Sequence, residues 1–528
     1  MPRLLLIGWD GADWRILDPL LERGALPHLS ALIERGGRSV LRSTLPTHSW
    51  SAWPSFLTGV DPADHGVYDI LESRRDGGKP YPVSFRSIKT RTFLADLNRA
   101  RVETVMVNVP LTFPPPQIRG KLIAGGVLPK RRPFTHPESL AQELEAAGAP
   151  WPINGTSWVT FRNRPEALLE EAREFILARQ RGAEHLLDTT DWAVACVVFV
   201  ETDRIQHCLS QYISSDHPRY GELRRTALAE KIGDVYRLLD EGLGRLVERT
   251  GEQDLVLFMS DHGMHSCTRA VNMDRLLAHL GFLEFSASSA IFGPMQWGPV
   301  RVLARKVYDA LGLHGKVPLP HSVDWSKTRA YTSVRSTGEG ISVNLAGREP
   351  NGIVDPGEFD RVRDEVAERV GSFVDPGSGE RPVARVWRRE ELFKGAYADR
   401  APDLLLEPAS LYSLTHSRTM VEPADWISGD HRMDGVLAAA GPTVDRSLFR
   451  ARPFHLVDLA PTILAAVGAP ASVQHVGTIL SALVGRAPTE EAVGAGIPEG
   501  SDVEGGPGLN ETEADEVEEH LRGLGYLE

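Results

Sequence analysis

The stretch that decides the fold lies near the amino terminus, where residues 4–10 read LLLIGWD. A strand with one solvent-exposed face alternates apolar and polar residues, whereas this run is continuously apolar. The run therefore predicts a strand that is covered on both faces, as in a parallel sheet. It is too short for a signal peptide, and no small-residue cleavage site follows it. We interpret it as a buried first strand that ends at Asp10.

Similar apolar runs recur along the chain and alternate with helical patterns. Strands alternating with helices predict a doubly wound, mostly parallel α/β sheet with helices on both faces. The apolar runs are residues 4–7, 104–109, 193–200, 255–259 and 436–440. The helical patterns include residues 27–34, 165–179, 223–249 and 461–467.

The strand–helix rhythm is interrupted, which predicts four parts. Residues 1–284 form the first part of the α/β core, and residues 285–425 form an inserted cap or α+β subdomain. A hairpin is expected there around residues 336–338. Residues 426–486 complete the core. Residues 487–528 are a flexible linker, rich in Gly, Pro and acid, followed by a helix that begins near Glu511.

Composition excludes several classes of protein. With 42% hydrophobic and 24% charged residues, the chain of 528 residues is typical of a soluble globular protein. A net charge of −13 argues against binding to nucleic-acid polymers or anionic membranes. The chain lacks an apolar run of about 18 residues, so we expect no membrane span. Three cysteines without CxxC spacing favour neither disulfides nor thiolate zinc, and we expect a cytoplasmic protein.

Ionisable side chains follow three of the predicted strands. Asp10, Asp203 and the neighbours Asp261 and His262 come just after apolar runs. Ligand crevices of open α/β sheets lie outside the carboxyl ends of the strands, so we expect these groups to meet in one cleft. Neighbouring carboxylates repel each other, and two divalent metal ions are the simplest source of positive charge.

Two segments add imidazoles to this set. Asp203 and His207 are four residues apart, so on a helical turn they share one face and can bind one metal ion. The segment 429–432 reads GDHR and places His431 just before a strand, at its amino side or in a loop. Each pair alone is explained as well by ordinary structural contacts, whereas the set in this order is specific.

A serine is the candidate nucleophile. Pro54 lacks an N–H and is favoured in the first turn of a helix, which predicts a helix that begins near Ser49 to Ser51. A hydroxyl at a helix N-terminus faces free N–H groups and the positive end of the dipole, which suits an alkoxide and phosphate oxygens. The alternative is that Ser49 is only an N-cap. Rival hydroxyls are those of Thr47, Ser51 and Thr58.

Taken in order, these motifs resemble the alkaline phosphatase superfamily and, within it, the type I phosphodiesterase/nucleotide pyrophosphatase family, especially its bacterial and archaeal branch. The resemblance spans nearly the whole chain. The metal and nucleophile motifs are Asp10, residues 46–49 (PTHS), 58–59 (TG), 65–66 (HG), 203–207 (DRIQH), 260–263 (SDHG) and 429–431 (GDH). Further motifs are residues 52–53, 324–326, 347–350, 401–404, 458–462 and 524–528.

The resemblance implies an alkaline-phosphatase-like fold and a site with two metal ions, usually zinc, with manganese or iron as alternatives. The serine hydroxyl would attack phosphorus, and water would then hydrolyse the phosphoseryl intermediate. The implied ligands are Asp203, His207 and His431 for one ion, and Asp10, Asp261, His262 and the hydroxyl of Ser49 for the other.

The departures from the family pattern concern the nucleotide substrate rather than the reaction class. Characterised nucleotide pyrophosphatases have a phosphate-contacting Asn after the segment that matches residues 65–69, whereas this chain has Ile70 there. We expect backbone N–H groups near residues 49–51 to make that contact instead. Many relatives have Thr in place of Ser49. The segment 49–53 lacks the Pro and Arg of the sulfatase motif, which argues against sulfatase activity.

The predicted function is metal-dependent hydrolysis of phosphate esters by a phosphodiesterase or nucleotide pyrophosphatase. One alternative is a phosphomonoesterase or phosphomutase with the same site, in which the 285–425 insertion would shield the intermediate from water. Another is a non-catalytic sensor of metal and a phosphorylated ligand. The expected partner is a small phosphorylated molecule such as a nucleotide. The sequence carries no indication of the oligomeric state.

Overall fold

The structure is a computed structural model. It describes residues 2–72, 80–129, 133–153, 161, 163–286, 323–334, 336–414, 419–424, 427–449, 453–470, 475–485 and 509–524. Residues 487–508 of the predicted linker and the last four residues of the 524–528 motif lie outside these ranges.

The strands of the described residues are numbered in chain order. They are β1 (Leu4–Trp9), β2 (Gly37–Arg42), β3 (Leu71–Glu72), β4 (Tyr81–Pro82), β5 (Thr104–Val109), β6 (Gly120–Ala124), β7 (Thr135–His136), β8 (Val194–Phe199), β9 (Leu255–Met259), β10 (Gly263–Val271), β11 (Ala330–Thr332), β12 (Gly340–Val343), β13 (Val383–Arg388), β14 (Leu404–Pro408), β15 (Leu411–Ser413), β16 (Val421–Pro423), β17 (Gly429–Arg432), β18 (Asp434–Ala440) and β19 (Phe454–His455).

Nine of these strands form the central sheet, in the order β19-β2-β18-β9-β1-β8-β5-β6-β7. The five inner strands β9, β1, β8, β5 and β6 are parallel, whereas β18 and β7 run antiparallel to their neighbours. All residues of β1, β5 and β8 are buried. The continuous apolar runs had predicted this arrangement, and the doubly wound α/β fold is confirmed.

Helices cover both faces of the sheet, and successive residues of β1 pack into two separate cores. Leu4 and Leu6 belong to one core, and Leu5 and Ile7 belong to the other. Within the described residues, each helix is too short or too polar to cross a membrane. The helices of seven or more residues are Trp14–Glu22, Pro27–Arg35, Ser49–Thr58, Phe93–Arg99, Leu140–Ala146, Pro165–Thr189, Glu201–Ile213, Ala227–Val247, Met273–His279, Phe359–Ser372, Leu459–Ala466 and Glu511–Leu524. Shorter helices are Pro62–His65, Tyr220–Leu223, Arg389–Leu392, Arg446–Phe449 and Ser481–Val484.

A smaller antiparallel sheet, in the order β11-β12-β14-β13, lies in the segment that was predicted to be an insertion. Strands β11 and β12 form the hairpin that was expected around residues 336–338. The helix Phe359–Ser372 covers this sheet through Val362, Val366 and Val370. The fold thus has the smaller α+β unit that the sequence predicts, while the three boundaries between the four predicted parts stay predictions.

The C-terminal helix Glu511–Leu524 is also part of the body of the protein. Its Val517 and Leu521 are buried in the core on one face of the central sheet. The helix begins where the sequence predicts, and its apolar stripe at helical spacing is the face that packs.

Candidate active site

Most of the predicted metal ligands lie at the carboxyl edge of adjacent parallel strands. Asp10 directly follows β1, and its backbone N–H donates to the carbonyl of Phe199 at the end of β8 (2.9 Å). The helix Glu201–Ile213 begins just after β8 and carries Asp203 and His207 on one face. Asp261 and His262 form the turn between β9 and β10. The sheet topology therefore brings together residues that are about 250 positions apart.

The remaining ligand, His431, reaches the cluster through a strand. Residues 429–432 were expected in a loop or at the amino side of a strand, but they form β17, which pairs antiparallel with β10 and places His431 opposite Met264. Gly429 permits this approach, since a Cβ there would lie 2.4 Å from the Ser210 hydroxyl oxygen. The pairing with β10 holds His431 beside the turn that carries His262, and their ring centroids are 4.5 Å apart.

Asp203, His207 and His431 form the first ligand group. The Asp203 Oδ1 atom lies 3.3 Å from His207 Nε2 and 3.6 Å from His431 Nε2. The two Nε2 atoms are 3.1 Å apart. His207 Nδ1 donates to the Gly429 carbonyl (2.9 Å), which leaves the lone pair of its Nε2 facing the cluster. At this distance the two nitrogens either share a proton in a hydrogen bond or converge on one cation.

Asp10, Asp261, His262 and Ser49 form the second group. His262 Nε2 lies 3.5 Å from Asp10 Oδ1, 3.4 Å from Asp261 Oδ2 and 3.1 Å from Ser49 Oγ. His262 Nδ1 donates to the Gly263 carbonyl (3.0 Å), so Nε2 is the ring nitrogen that faces the other members of this group. The Ser49 hydroxyl donates to Asp10 Oδ1 (3.2 Å). The two groups adjoin, since ligand atoms of Asp203, His262 and His431 also lie within 4.8 Å of one another.

The electrostatics of these carboxylates fit a cation site. Burial, followed by repulsion from Asp261 and Asp203, raises the pKa of Asp10 well above its usual value. Burial and Asp203 raise the pKa of Asp261 to about 7. Burial would also raise the pKa of Asp203, but His207 and His431 hold it well below the usual range. The ion-pair partners of Asp10, Asp203 and Asp261 in this cluster are histidines. The buried Oδ1 of Asp203 and the buried Oδ2 of Asp261 have no hydrogen-bond partner.

Gly11 leaves the space that such a site requires. Its φ of +67° is a left-handed conformation, and a Cβ at this position would lie 3.2 Å from Asp203 Oδ1 and 3.3 Å from His262 Cε1. The open space, the unsatisfied carboxylate oxygens and the N/O donor set together fit divalent metal ions. The candidate metal groups are Asp203, His262 and His431, and Asp10, Asp261 and His262, and the assignment of each ligand to one of two ions stays a prediction.

The helix Ser49–Thr58 begins at the candidate nucleophile, as the sequence predicts. Its N-cap is His48, whose Nδ1 accepts from the Ser51 N–H (3.3 Å), so Ser49 is not the cap. Burial lowers the pKa of His48 to about 4, and its Nε2 lies 3.1 Å from the Tyr68 carbonyl. His48 is therefore a neutral capping residue. Pro54 lies in the second turn rather than the first.

The four candidate hydroxyls differ in what they contact. Ser51 Oγ donates to the Pro46 carbonyl (2.5 Å), and Thr58 Oγ1 donates to the Pro54 carbonyl (2.6 Å). Thr47 Oγ1 contacts the Met433 sulfur (3.2 Å). Of the four, Ser49 is the hydroxyl that contacts the predicted ligands Asp10 and His262.

Several residues that support the site were not found by sequence reasoning. The indole N–H of Trp53 donates to Asp10 Oδ2 (3.1 Å), and Thr202 Oγ1 donates to the Asp10 carbonyl (2.6 Å). Glu339 Oε2 accepts from the Thr47 N–H (3.0 Å). Trp53 belongs to the motif at residues 52–53 and Thr202 directly precedes the motif 203–207, which is a usable signal, although their contacts with Asp10 were not predicted. Glu339 is 292 positions from Thr47, and we find no sequence signal for it.

A cleft opens beside the ligand cluster. Asp10, Ser49 and Asp203 lie in it together with Asn108 and Arg204. The cleft therefore exposes the candidate nucleophile and one carboxylate of each ligand group to a small molecule.

Solved structures of known proteins share this fold. Phosphonoacetate hydrolase from Sinorhizobium meliloti 1021 in complex with phosphonoacetate is 15% identical, with a TM-score of 0.55 over 89% of this chain and 96% of that chain. Its complex with phosphonoformate matches at 14% identity and the same TM-score. Human ectonucleotide pyrophosphatase/phosphodiesterase 5 is 14% identical, with a TM-score of 0.49 over 90% and 97% of the two chains. Such low identities show the fold alone, which is a mixed α/β fold with a large, mostly parallel central sheet.

The sequence itself identifies the family. Residues 4–434 match the family described as type I phosphodiesterase/nucleotide pyrophosphatase, and the chain belongs to this family. A search of curated proteins finds no match. The resemblance deduced from the motifs is confirmed, and the protein is an enzyme of the phosphoester-hydrolysing class. The sensor alternative loses its support, because none of the predicted ligands is missing.

Proposed function

We propose that the protein hydrolyses small phosphodiesters or pyrophosphate linkages, such as those of nucleotides, through a phosphoseryl intermediate on Ser49. The observation that carries this proposal is the contact of the Ser49 hydroxyl with both Asp10 Oδ1 (3.2 Å) and His262 Nε2 (3.1 Å) at a helix N-terminus. Membership of the family supports the reaction class.

Seven side chains would hold two divalent ions. Bound there, the ions supply positive charge that favours the alkoxide of Ser49 and stabilises the phosphoryl oxygens. Carboxylate and imidazole ligands suit zinc, and manganese and iron are the alternatives. The assignment is Asp203, His207 and His431 for one ion, and Asp10, Asp261, His262 and Ser49 for the other.

The protein's own residues set up an in-line displacement. Asp10 orients the Ser49 hydroxyl, whose oxygen forms a bond to phosphorus while the bond from phosphorus to the leaving alcohol or phosphate breaks. The hydroxyl proton passes to the leaving oxygen. Water then attacks the phosphorus of phosphoserine and restores the Ser49 hydroxyl. The positive end of the helix Ser49–Thr58 stabilises the negative phosphoryl group in both steps.

The test compares bis-p-nitrophenyl phosphate with p-nitrophenyl phosphate in the presence of zinc or manganese. We expect faster cleavage of the diester, and we expect Ser49→Ala to lose turnover while metal stays bound. Thr58→Ala is the matched control, since this hydroxyl contacts the Pro54 carbonyl and the Val60 N–H rather than the ligand cluster, and should keep its activity. A wide preference for the monoester would favour the phosphomonoesterase or phosphomutase alternative. Turnover of Ser49→Ala near the wild-type rate would exclude Ser49 as the nucleophile.

A further inference from the structure

Asn108 is a buried amide in the wall of the cleft that contains Ser49. Its residue is 5% exposed, and it lies in the cleft with Asp10 and Asp203. Polar side chains are seldom buried without a hydrogen-bond partner, so we expect partners for both the oxygen and the NH₂ group of this amide. Ile70, by comparison, is fully buried in the apolar core and has no polar group to offer in its side chain.

The backbone at Asn108 departs from the strand that carries it. The pairing of β5 with β6 shifts between Val107 and Val109, which marks an irregularity at Asn108. Its φ is +59°, a left-handed conformation that costs free energy for residues other than glycine but is least unfavourable for Asn and Asp. Bulges of this kind redirect a side chain and concentrate near functional sites.

The amide is fixed next to the ligand cluster by β8. Asn108 Nδ2 donates to the Val198 carbonyl (3.0 Å), and the next carbonyl, of Phe199, accepts from the Asp10 N–H (2.9 Å). Successive carbonyls of a strand point to opposite sides, so Asn108 and Asp10 flank the end of β8, one on each side. The Nδ2 atom carries a second hydrogen, which this bond does not use.

A neutral donor suits this position better than a cation. A guanidinium beside Asp10 and Asp203 would compete with metal for their oxygens, whereas an amide N–H binds a phosphoryl oxygen without pairing with carboxylates. The nearby cation Arg179 already donates to the buried carboxylate of Glu201 (2.8 Å).

We propose that Asn108 binds a non-bridging oxygen of the substrate phosphoryl group through Nδ2. This inference rests on the proposed function, because it places the phosphoryl group between Asn108 and Ser49. The sequence led us to expect this phosphate contact from backbone N–H groups near residues 49–51. The proposal assigns it instead to the side chain of Asn108 in β5. Of those backbone groups, the Ser51 N–H is already bonded to His48.

The test is a calorimetric titration of inorganic phosphate into zinc-loaded protein, alongside kcat/KM for bis-p-nitrophenyl phosphate. Asn108→Gly removes the amide and tolerates the left-handed backbone, so we expect phosphate affinity and kcat/KM to fall about 10- to 100-fold while metal content changes little. Its Tm should fall modestly, because the buried Val198 carbonyl loses its donor. Asn108→Asp keeps the shape but adds a negative charge, and its loss should be larger. Asn98→Gly, on an exposed helix position, is the matched control and should match the wild type.

Three outcomes would overturn the inference. These are phosphate affinity within twofold of wild type in Asn108→Gly, loss of bound metal in that variant, or failure of the wild-type protein to bind phosphate. Phosphate binding that depends on Asn108 in a protein without turnover would contradict the proposed function and leave the inference standing.

Discussion

Glu339 Oε2 accepts a hydrogen bond from the backbone N–H of Thr47 at 3.0 Å, and this bond joins the smaller sheet to the turn before the nucleophile. Glu339 directly precedes β12 and is 3% exposed. Its own carbonyl accepts from the Leu406 N–H of β14 (2.8 Å). The inserted sheet therefore holds the backbone two residues before Ser49.

Removing this acceptor should slow turnover. In Glu339→Ala the Thr47 N–H stays buried without a partner, a cost of about 1–3 kcal/mol that a shift of the turn can relieve. We expect kcat on bis-p-nitrophenyl phosphate to fall roughly tenfold with little change in KM, since the nucleophile is displaced. Glu339→Gln keeps an oxygen acceptor and should retain most of kcat. Equal kcat for Glu339→Ala and wild type would show that the bond has no role in positioning.

The same residue should make stability depend on pH. Burial, followed by the charges of Asp430 and Glu407, raises the pKa of Glu339 well above its ordinary 4.5. The folded state then holds this proton more tightly than the unfolded state. The resulting stability is complete below pH 4.5 and is lost as the pH rises through the folded-state pKa.

Glu339→Gln cannot ionise, so its Tm should exceed that of wild type at pH 8, by on the order of 2 °C, and should match it near pH 4.5. Scanning calorimetry at both pH values measures the difference. A difference in Tm that is the same at both pH values would show that ionisation of Glu339 does not affect stability.

A methyl group at Gly11 should weaken metal binding. Gly11→Ala places a Cβ against Asp203 and His262 and adds the strain of a left-handed backbone. Gly24 is a matched control, because its φ of +70° is similar and nothing lies within 4 Å of its Cβ position. We expect zinc affinity to fall at least about tenfold in Gly11→Ala and to stay unchanged in Gly24→Ala. Equal affinities would show that the space at Gly11 is not needed.

Removing one partner of the buried ion pair between Arg179 and Glu201 should lower the free energy of unfolding strongly. Arg179 is 3% exposed and Glu201 is fully buried, with their charged atoms 2.8 Å apart. Glu201→Leu leaves a buried guanidinium without its partner and should lower the free energy of unfolding by about 3–5 kcal/mol. The double change with Arg179→Met should recover part of this loss. Urea denaturation measures both, and a single-variant loss below about 1 kcal/mol would contradict the prediction.

Much of the fold could be predicted because buried parallel strands are continuously apolar. The runs 104–109 and 255–259 coincide with β5 and β9. The observed ends of two helices differ from the predicted ones. Thr226 caps the helix Ala227–Val247, so this helix is shorter than the predicted helix over residues 223–249. The helix Pro165–Thr189 continues ten residues past its predicted end.

The site was predictable as far as its residues lie in local motifs. His431 was placed in a loop or beside a strand because the pairing of β17 with β10 has no local signature. Glu339 and Asn108 were missed for related reasons. The first acts through a contact across 292 positions, and the second depends on a local irregularity within an apolar strand.

Two ions are expected to bind among seven side chains and to activate Ser49. The most direct test is zinc titration by calorimetry and elemental analysis on chelator-treated protein. We predict about two ions per chain in the wild type and in Ser49→Ala, about one in His431→Ala, and activity that returns only with metal. Fewer than one ion per chain in the wild type, or full turnover after chelation, would contradict the account.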